Sequence, residues 1–180
     1  MSRIDAQGAG TFEFPKGLLH LEYTLSNGQM FRWRQTPDGW WDAVTGDRMI
    51  RIRKVDDPAS EVDRFEFFTF PGEPDLTFVE QFFRFDVVLD KLYSSWLEAD
   101  PYLGSLAERF KGLRIVKQVP EECLLSFMCS TANFIPRIMK AIPVHAPEKA
   151  VPAAPKPSAG STPSKKTIPV IDRKRINKNG

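Results

Sequence analysis

Hydrophobic and polar residues alternate repeatedly between residues 19 and 70, which is the pattern of β-strands with one buried face. Short turns rich in Gly, Pro, Asn and Asp separate the alternating segments. The predicted strands are 19–25, 30–35, 40–44, 49–54 and 64–70. Consecutive short strands joined by tight turns predict an antiparallel β-sheet.

Helical spacing replaces this alternation after Pro71-Gly72. Apolar residues then recur every three or four positions, and they predict helices over 76–85, 87–98 and 102–110, and another from Pro120 into Asn133. Pro136 favours the start of one more helix. Strands followed by helices are typical of an α+β domain, here an antiparallel sheet packed with helices over residues 10–118. Residues 119–142 are predicted to start a second, helical domain that stays incomplete.

Residues 143–180 differ in composition from the rest of the chain. They contain 7 of the 15 prolines and no Leu, Phe, Trp, Tyr or Met, so they cannot bury enough apolar surface to offset the entropy lost on folding. Eight basic residues against two acidic ones give the segment +6, which leaves −4 for residues 1–142 within the net charge of +2. We expect a disordered, Pro/Lys-rich basic tail, and any DNA binding must come from this tail or from a local basic patch.

With 42% hydrophobic and 12% aromatic residues, the chain has enough apolar surface for a packed core. Cys123 and Cys129 lie six positions apart, which is neither a disulfide framework nor a metal-ligand spacing, so we expect two buried, reduced thiols. His20 and His145 are the only histidines, and we expect no metal and no cofactor. No apolar run approaches the roughly 20 residues that cross a bilayer. These features predict an intracellular protein, in the cytoplasm, nucleoid or nucleus, without membrane contact.

Two separated segments carry candidate binding residues. The first is Ser26-Asn27-Gly28-Gln29-Met30-Phe31-Arg32-Trp33, and the second runs from Glu122 to Arg137. Taken alone, Asn-Gly is a common turn, because a residue without Cβ adopts a left-handed conformation at little cost. Asn133 would ordinarily cap a helix, and Arg137 would be a surface arginine.

Aromatic residues interleave with arginines after Gly28, which is also a feature of single-strand-binding surfaces. Alternating aromatics more often form the core of a sheet, and we expect this of Phe31, Trp33, Trp40 and Trp41. The basic residues of the fourth predicted strand are expected to form a solvated strand edge, with phosphate contact as the alternative. These are Arg51, Arg53 and Lys54.

In order and spacing, the two segments resemble the amino-terminal half of 8-oxoguanine DNA glycosylases, over roughly residues 10–142. The resemblance implies that the Gly28 carbonyl accepts the N7–H of 8-oxoguanine, where guanine offers only a lone pair, and that Gln29 and Phe31 border the base. It also implies DNA contacts by Asn133, Arg137 and Arg32, with Arg137 reading the cytosine left unpaired after base flipping. Ala132 and Phe134 depart from the asparagines usual there. The implied partner is double-stranded DNA containing oxidised guanine.

The family's glycosylase/lyase chemistry uses a lysine amine that attacks the sugar and an aspartate that stabilises the developing charge. Family members carry these residues on a helix-hairpin-helix and the loop after it, and nothing in this sequence resembles that region. We therefore expect no catalytic residue in this chain and no activity of the chain alone, which leaves its standing as an enzyme open. A truncated coding region or a separate chain carrying the missing half would explain the pattern.

Without that half, apolar residues of the predicted 120–133 helix should be partly exposed, namely Leu124, Leu125, Phe127 and Met128. Two alternatives remain open. One is a non-catalytic DNA-binding or protein-interaction module. The other is a 3-methyladenine DNA glycosylase of comparable two-part architecture, which the Gly28 and Arg137 motifs fit less well.

Overall fold

The computed structural model describes residues 9–55, 57–131 and 133–142. Within these ranges the elements are β1 (Gly10–Pro15), α1 (Leu21–Leu25), β2 (Arg34–Gln35), β3 (Trp41–Thr45), β4 (Arg48–Val55), β5 (Val62–Phe70), α2 (Leu76–Phe82), α3 (Leu89–Ala99), α4 (Pro101–Arg109), α5 (Pro120–Ser130) and α6 (Ile135–Ala141). One antiparallel sheet with helices packed against it confirms the α+β prediction. The predicted tail at 143–180 lies outside the described residues.

The strands form one antiparallel sheet in the order β1-β5-β4-β3-β2. Alternate side chains on one face build the core, as their period of two predicts. The sheet contributes Phe12, Trp41, Ala43, Ile50, Ile52, Phe65 and Phe67 to this core, and helices α1 and α2 add Leu21, Leu25, Val79 and Phe82. Burial of each large apolar side chain stabilises the fold by about 1.5–3 kcal/mol.

The opposite face of the sheet carries ion pairs. Arg51 is 6% exposed and donates to both carboxylate oxygens of Asp42, at 2.7 and 2.8 Å. Arg53 pairs with Glu66 at 2.6 Å, and its guanidinium lies 4.4 Å from the centre of the Trp40 ring. The prediction that Arg51, Arg53 and Lys54 form a strand edge is therefore wrong, because β4 lies between β5 and β3. Lys54 is also paired, with Asp63 at 2.8 Å.

Arg114 fixes the segment between α4 and α5 to the rest of the domain. Its buried guanidinium donates to the backbone carbonyls of Leu18 at 3.0 Å, Arg84 at 2.6 Å and Val87 at 3.3 Å, and it lies 5.0 Å from the Phe14 ring centre. Burial lowers the pKa of Arg114 to about 10. The group is therefore charged at neutral pH, and its hydrogen bonds are charge-assisted.

The predicted strand 19–25 is wrong, because residues Leu21–Leu25 form helix α1. His20 caps the helix by accepting a hydrogen bond from the Tyr23 amide at 3.3 Å. Leu21, Thr24 and Leu25 are buried at helical spacing, and the Thr24 hydroxyl accepts from the Arg114 amide at 3.2 Å. A contact between residues 90 apart in sequence thus stabilises the helix against the local alternation.

Two further strands differ from the prediction. The expected strand 30–35 is reduced to β2, and β1, which was not predicted, pairs with β5 so that Phe12 lies opposite Phe65. The expected burial of the four aromatics is confirmed, since Phe31, Trp33, Trp40 and Trp41 are all at most 8% exposed. The helices predicted over 76–110 are confirmed as α2, α3 and α4, with bounds that differ from the predicted ones by up to three residues.

Cys123 and Cys129 are free and exposed. Their predicted burial is wrong, because no residue of α5 is fully buried. In the part of the chain that the structure describes, no group of three His, Cys, Asp or Glu side chains is arranged to hold a metal ion. No helix in that part is both long enough and apolar enough to span a membrane.

Candidate functional site

Residues 26–33, here called the Gly28 loop, follow α1 and approach the first turn of α6. Gly28 has φ +89°, and a Cβ at this position would lie 2.8 Å from Cδ1 of Ile135 and 3.9 Å from Cε1 of Phe31. A side chain here is therefore disfavoured by the backbone conformation, and it would require Ile135 to shift. The two segments that carry the candidate binding residues thus meet at Gly28.

Gln29 holds the backbone of the Gly28 loop in place. Its side-chain amide donates to the carbonyls of Thr24 at 2.7 Å and Arg114 at 2.8 Å, and its side-chain oxygen accepts from the Val116 amide at 3.0 Å. The Gln118 side chain donates to the Gln29 carbonyl at 2.7 Å. Because both amide protons and the side-chain oxygen are used, this geometry gives Gln29 a structural role, and base contact by its side chain stays a prediction.

Phe31 lies beside Gly28 and is 8% exposed. Its ring lies close to the glycine, and contact between Phe31 and the flipped base stays a prediction of the family resemblance. Trp33, two positions later, is fully buried, and its indole N–H donates to the sulfur of Met30 at 3.4 Å. The loop is therefore anchored by aromatic burial, while Gly28 itself is only partly covered.

Arg32 and Glu122 form an ion pair between the Gly28 loop and the first turn of α5. The same Glu122 oxygen accepts from the Gly46 amide at 3.0 Å, in the turn between β3 and β4. Glu122 also lies in the first turn of α5, where the helix dipole stabilises a carboxylate. A DNA contact by Arg32 would compete with this ion pair, and the predicted role of Arg32 stays a prediction.

Arg34 joins the end of the Gly28 loop to the last turn of α6. One terminal nitrogen donates to the carbonyls of Phe31 at 2.7 Å and Trp33 at 2.8 Å, and the other donates to the carbonyls of Met139 and of Ile142, the latter at 3.3 Å. Desolvation by burial lowers the pKa of Arg34. Arg34 was not among the predicted site residues, and the only signal for it in the sequence is its place beside Arg32 and Trp33.

Asn133 and Arg137 lie on either side of the start of α6, and both are exposed. The Asn133 side chain donates to the carbonyls of Cys129 at 3.0 Å and Thr131 at 3.2 Å, so it caps the end of α5. Among the described residues, the Arg137 guanidinium has no hydrogen-bond or ion-pair partner. Ile138, the next residue, is 3% exposed and anchors α6. Arg137 is therefore an available cation on an element that touches Gly28.

Residues 11–124 match the family model described as 8-oxoguanine DNA glycosylase, N-terminal domain. The chain belongs to this glycosylase family. It is 33% identical over 135 residues to the N-glycosylase/DNA lyase OGG1 of Arabidopsis thaliana, covering 72% of this chain and 36% of that protein. It is 29% identical over 147 residues to the N-glycosylase/DNA lyase of Saccharomyces cerevisiae, covering 73% and 36%.

The fold of this glycosylase-family chain is shared with a solved relative. The 8-oxoguanine glycosylase/lyase of Clostridium acetobutylicum, in complex with double-stranded DNA containing cytosine opposite 8-oxoG, superposes with a TM-score of 0.58 at 26% identity. The match covers 70% of this chain and 41% of that chain. The chain thus spans 36% of the length of each of the two curated relatives named above.

The family's N-terminal domain model ends at Leu124, inside α5. Beyond that point the helix exposes apolar side chains, as the sequence analysis expected. Leu124, Leu125, Phe127 and Met128 are between 60% and 72% exposed, which confirms that prediction. Because these residues adjoin one another on a helix of 11 residues, they form a contiguous apolar surface, here called the α5 face.

Proposed function

We propose that this chain is the damaged-DNA-binding part of an 8-oxoguanine DNA N-glycosylase/AP lyase of base-excision repair. One observation supports this most directly, namely the contact between Gly28 and Ile135 across more than a hundred residues of sequence. It brings the residue proposed to read the oxidised base next to the helix that carries Arg137. The partner is double-stranded DNA containing oxidised guanine, and the site of action is the DNA-containing compartment of the cell.

Gly28 distinguishes 8-oxoguanine from guanine through its backbone carbonyl. At position N7 the oxidised base carries a proton, whereas guanine carries a lone pair that repels a carbonyl oxygen. An unmade hydrogen bond in a closed pocket costs about 1–3 kcal/mol, which corresponds to roughly 10- to 100-fold discrimination. The Phe31 ring lies beside Gly28, and Ile135 crowds the position that a side chain on residue 28 would take. In this proposal the missing side chain keeps the Gly28 carbonyl accessible to the base.

Arg137 reads the cytosine opposite the lesion. Its guanidinium supplies several donors in a fixed plane, and it is exposed and unpaired among the described residues. Arg32 and Asn133 are held by Glu122 and by the end of α5, so in this proposal they shape the site more than they bind DNA. Recognition of the oxidised base and of the cytosine opposite it then rests on Gly28 and Arg137.

Catalysis is assigned to no residue of this chain. The test uses a duplex with one 8-oxoguanine opposite cytosine, incubated with the purified chain. We expect an intact duplex and no Schiff base trapped by borohydride, together with tighter binding to this duplex than to one with a guanine:cytosine pair. If the chain cleaved the strand and substitution of a single lysine abolished this cleavage, the proposal that this chain holds no catalytic residue would be contradicted.

Arg137→Ala should remove the preference for cytosine opposite the lesion. Arg109→Ala is the matched control, because Arg109 is also an exposed arginine but lies on α4. Equal losses in the two variants would mean that Arg137 contributes charge and no base reading. Equal affinity of the unmodified chain for lesion and normal duplexes would exclude the proposed function itself.

The proposal also gives a role to the α5 face. The α5 face begins where the family's N-terminal model ends, and the relatives are nearly three times as long as the matched region. We assign the α5 face to contact with the part of the glycosylase that this chain does not span, whether in the same polypeptide or in a separate one. The competing function, a non-catalytic interaction module, would use the same face for an unrelated partner.

Adding the carboxy-terminal half of the Arabidopsis relative as a separate chain distinguishes a split glycosylase from a non-catalytic interaction module. Stable association and recovered cleavage of the 8-oxoguanine duplex support the split glycosylase. No association would favour the module.

A further inference from the structure

Helix α6 is held against the domain at three places. It has seven residues, and a helix of that length is not stable alone in water. Ile138 is buried at its centre, Ile135 rests against Gly28 at its start, and Arg34 holds its end. The direction in which α6 presents Arg137 therefore depends on these contacts.

Arg34 is placed to connect two sets of backbone carbonyls. The carbonyls at the end of a helix lack internal partners and carry partial negative charge. One nitrogen of Arg34 binds the Gly28 loop through Phe31 and Trp33, and the other binds the end of α6 through Met139 and Ile142. A planar guanidinium can serve both sets at once, whereas a lysine ammonium is a single point on a flexible stem.

We propose that Arg34 is a positioning residue that holds α6 against the Gly28 loop and so sets where Arg137 points. The effect of Arg34 on base reading by Arg137 rests on the proposed function, whereas its contact with α6 does not. Arg34 contacts no DNA in this proposal, because both terminal nitrogens are engaged with backbone carbonyls. Its removal leaves Arg137 in the chain but releases the end of the helix that carries it.

The first measurement is amide hydrogen exchange in Arg34→Ala, Arg34→Lys and the full chain. The amides of Ile138 and Ile142 donate within α6, and in Arg34→Ala they should exchange roughly 10-fold faster or more, as expected for loss of charge-assisted hydrogen bonds. Sheet amides should keep their protection. Arg53→Ala is the control, because it removes an ion pair on the sheet without touching α6.

The second measurement is binding to 8-oxoguanine duplexes with cytosine or adenine opposite the lesion. Arg34→Ala should lose the preference for cytosine as Arg137→Ala does, and the double variant should show no further loss. Arg34→Lys keeps the charge, so it should keep general affinity and still lose part of the preference.

Unchanged exchange of the α6 amides in Arg34→Ala would overturn the proposal, as would a parallel loss of sheet protection, which indicates a general structural role. Faster exchange in α6 with an intact preference for cytosine would overturn the link to Arg137. If the unmodified chain shows no preference between opposite bases, the proposed function of Arg137 has failed, and the exchange data alone then decide whether Arg34 holds α6.

Discussion

Replacing Gly28 with alanine tests how closely the two binding segments must approach. Gly28 has φ +89°, and an L-residue in this left-handed region costs about 1–2 kcal/mol. Alanine also restricts the unfolded chain, which returns about 0.4–1 kcal/mol. The conformational part of Gly28→Ala is therefore a loss of about 0–1.6 kcal/mol in unfolding free energy.

The steric part comes from Ile135. A Cβ on residue 28 would lie 2.8 Å from its Cδ1 and 3.3 Å from its Cγ1. Overpacking costs about 1–3 kcal/mol, and because Ile135 is 39% exposed and can shift, we expect the lower end. Together, Gly28→Ala should lower the unfolding free energy by about 1–2.5 kcal/mol.

A matched substitution at Gly39 separates the conformational cost of Gly28→Ala from its steric cost. It has φ +82°, and nothing lies within 4 Å of a Cβ built there, so Gly39→Ala carries only the conformational part. Ile135→Ala removes both contacting atoms, and in a double-mutant cycle with Gly28→Ala it should recover about 1 kcal/mol. Urea denaturation measures all four variants.

Equal losses in Gly28→Ala and Gly39→Ala, or an additive cycle with Ile135→Ala, would refute the close approach. The two variants should also differ in DNA binding. Gly28→Ala should lose the preference for 8-oxoguanine over guanine, whereas Gly39→Ala should keep it. This comparison separates obstruction of the base from general loss of stability.

Three further predictions concern other parts of the chain. Arg114→Lys should lower the unfolding free energy by about 2–4 kcal/mol in urea denaturation, because buried carbonyls lose their donors, and Arg109→Lys should have little effect. The paired change Leu125→Glu and Phe127→Lys should reduce self-association and binding of a hydrophobic dye, and unchanged values would mean that the α5 face does not drive association. Deleting residues 143–180 should weaken binding to undamaged DNA and flatten its salt dependence; identical titrations with and without these residues would place the electrostatic anchor elsewhere.

The core of the sheet could be predicted from sequence because its signal is local. Phe65, Phe67 and the alternating isoleucines of β4 repeat with a period of two, and each strand is long enough to show it. Helix α1 could not be predicted in this way. Its five residues are too few to separate the two periods, and the contact that decides it joins Thr24 to Arg114, 90 residues away.

The candidate site shows the same division. Gly28 and Arg137 belong to motifs shared with the glycosylase family, so the resemblance selected them, whereas their local sequence alone favoured a turn and a surface arginine. Arg34 was not selected, since its role requires the end of a helix that lies 105 residues further along the chain. Gln29 was selected for contact with the base, but its side chain holds the loop, because backbone groups at Thr24 and Val116 need partners there.

The arginines of this domain illustrate why charge in the sequence does not locate a DNA-binding surface. Arg32 and Arg34 lie in an aromatic-rich segment that resembles a nucleic-acid surface, but the structure engages them with Glu122 and the end of α6. Arg51 and Arg53 are neutralised by acidic neighbours on the sheet. Arg137 keeps an exposed guanidinium without a partner among the described residues, so it is the arginine of the candidate site that can reach DNA without breaking an existing contact. We therefore expect base reading and general affinity to reside in different parts of the chain, because one arginine can read a base but does not offset a net charge of −4 over residues 1–142.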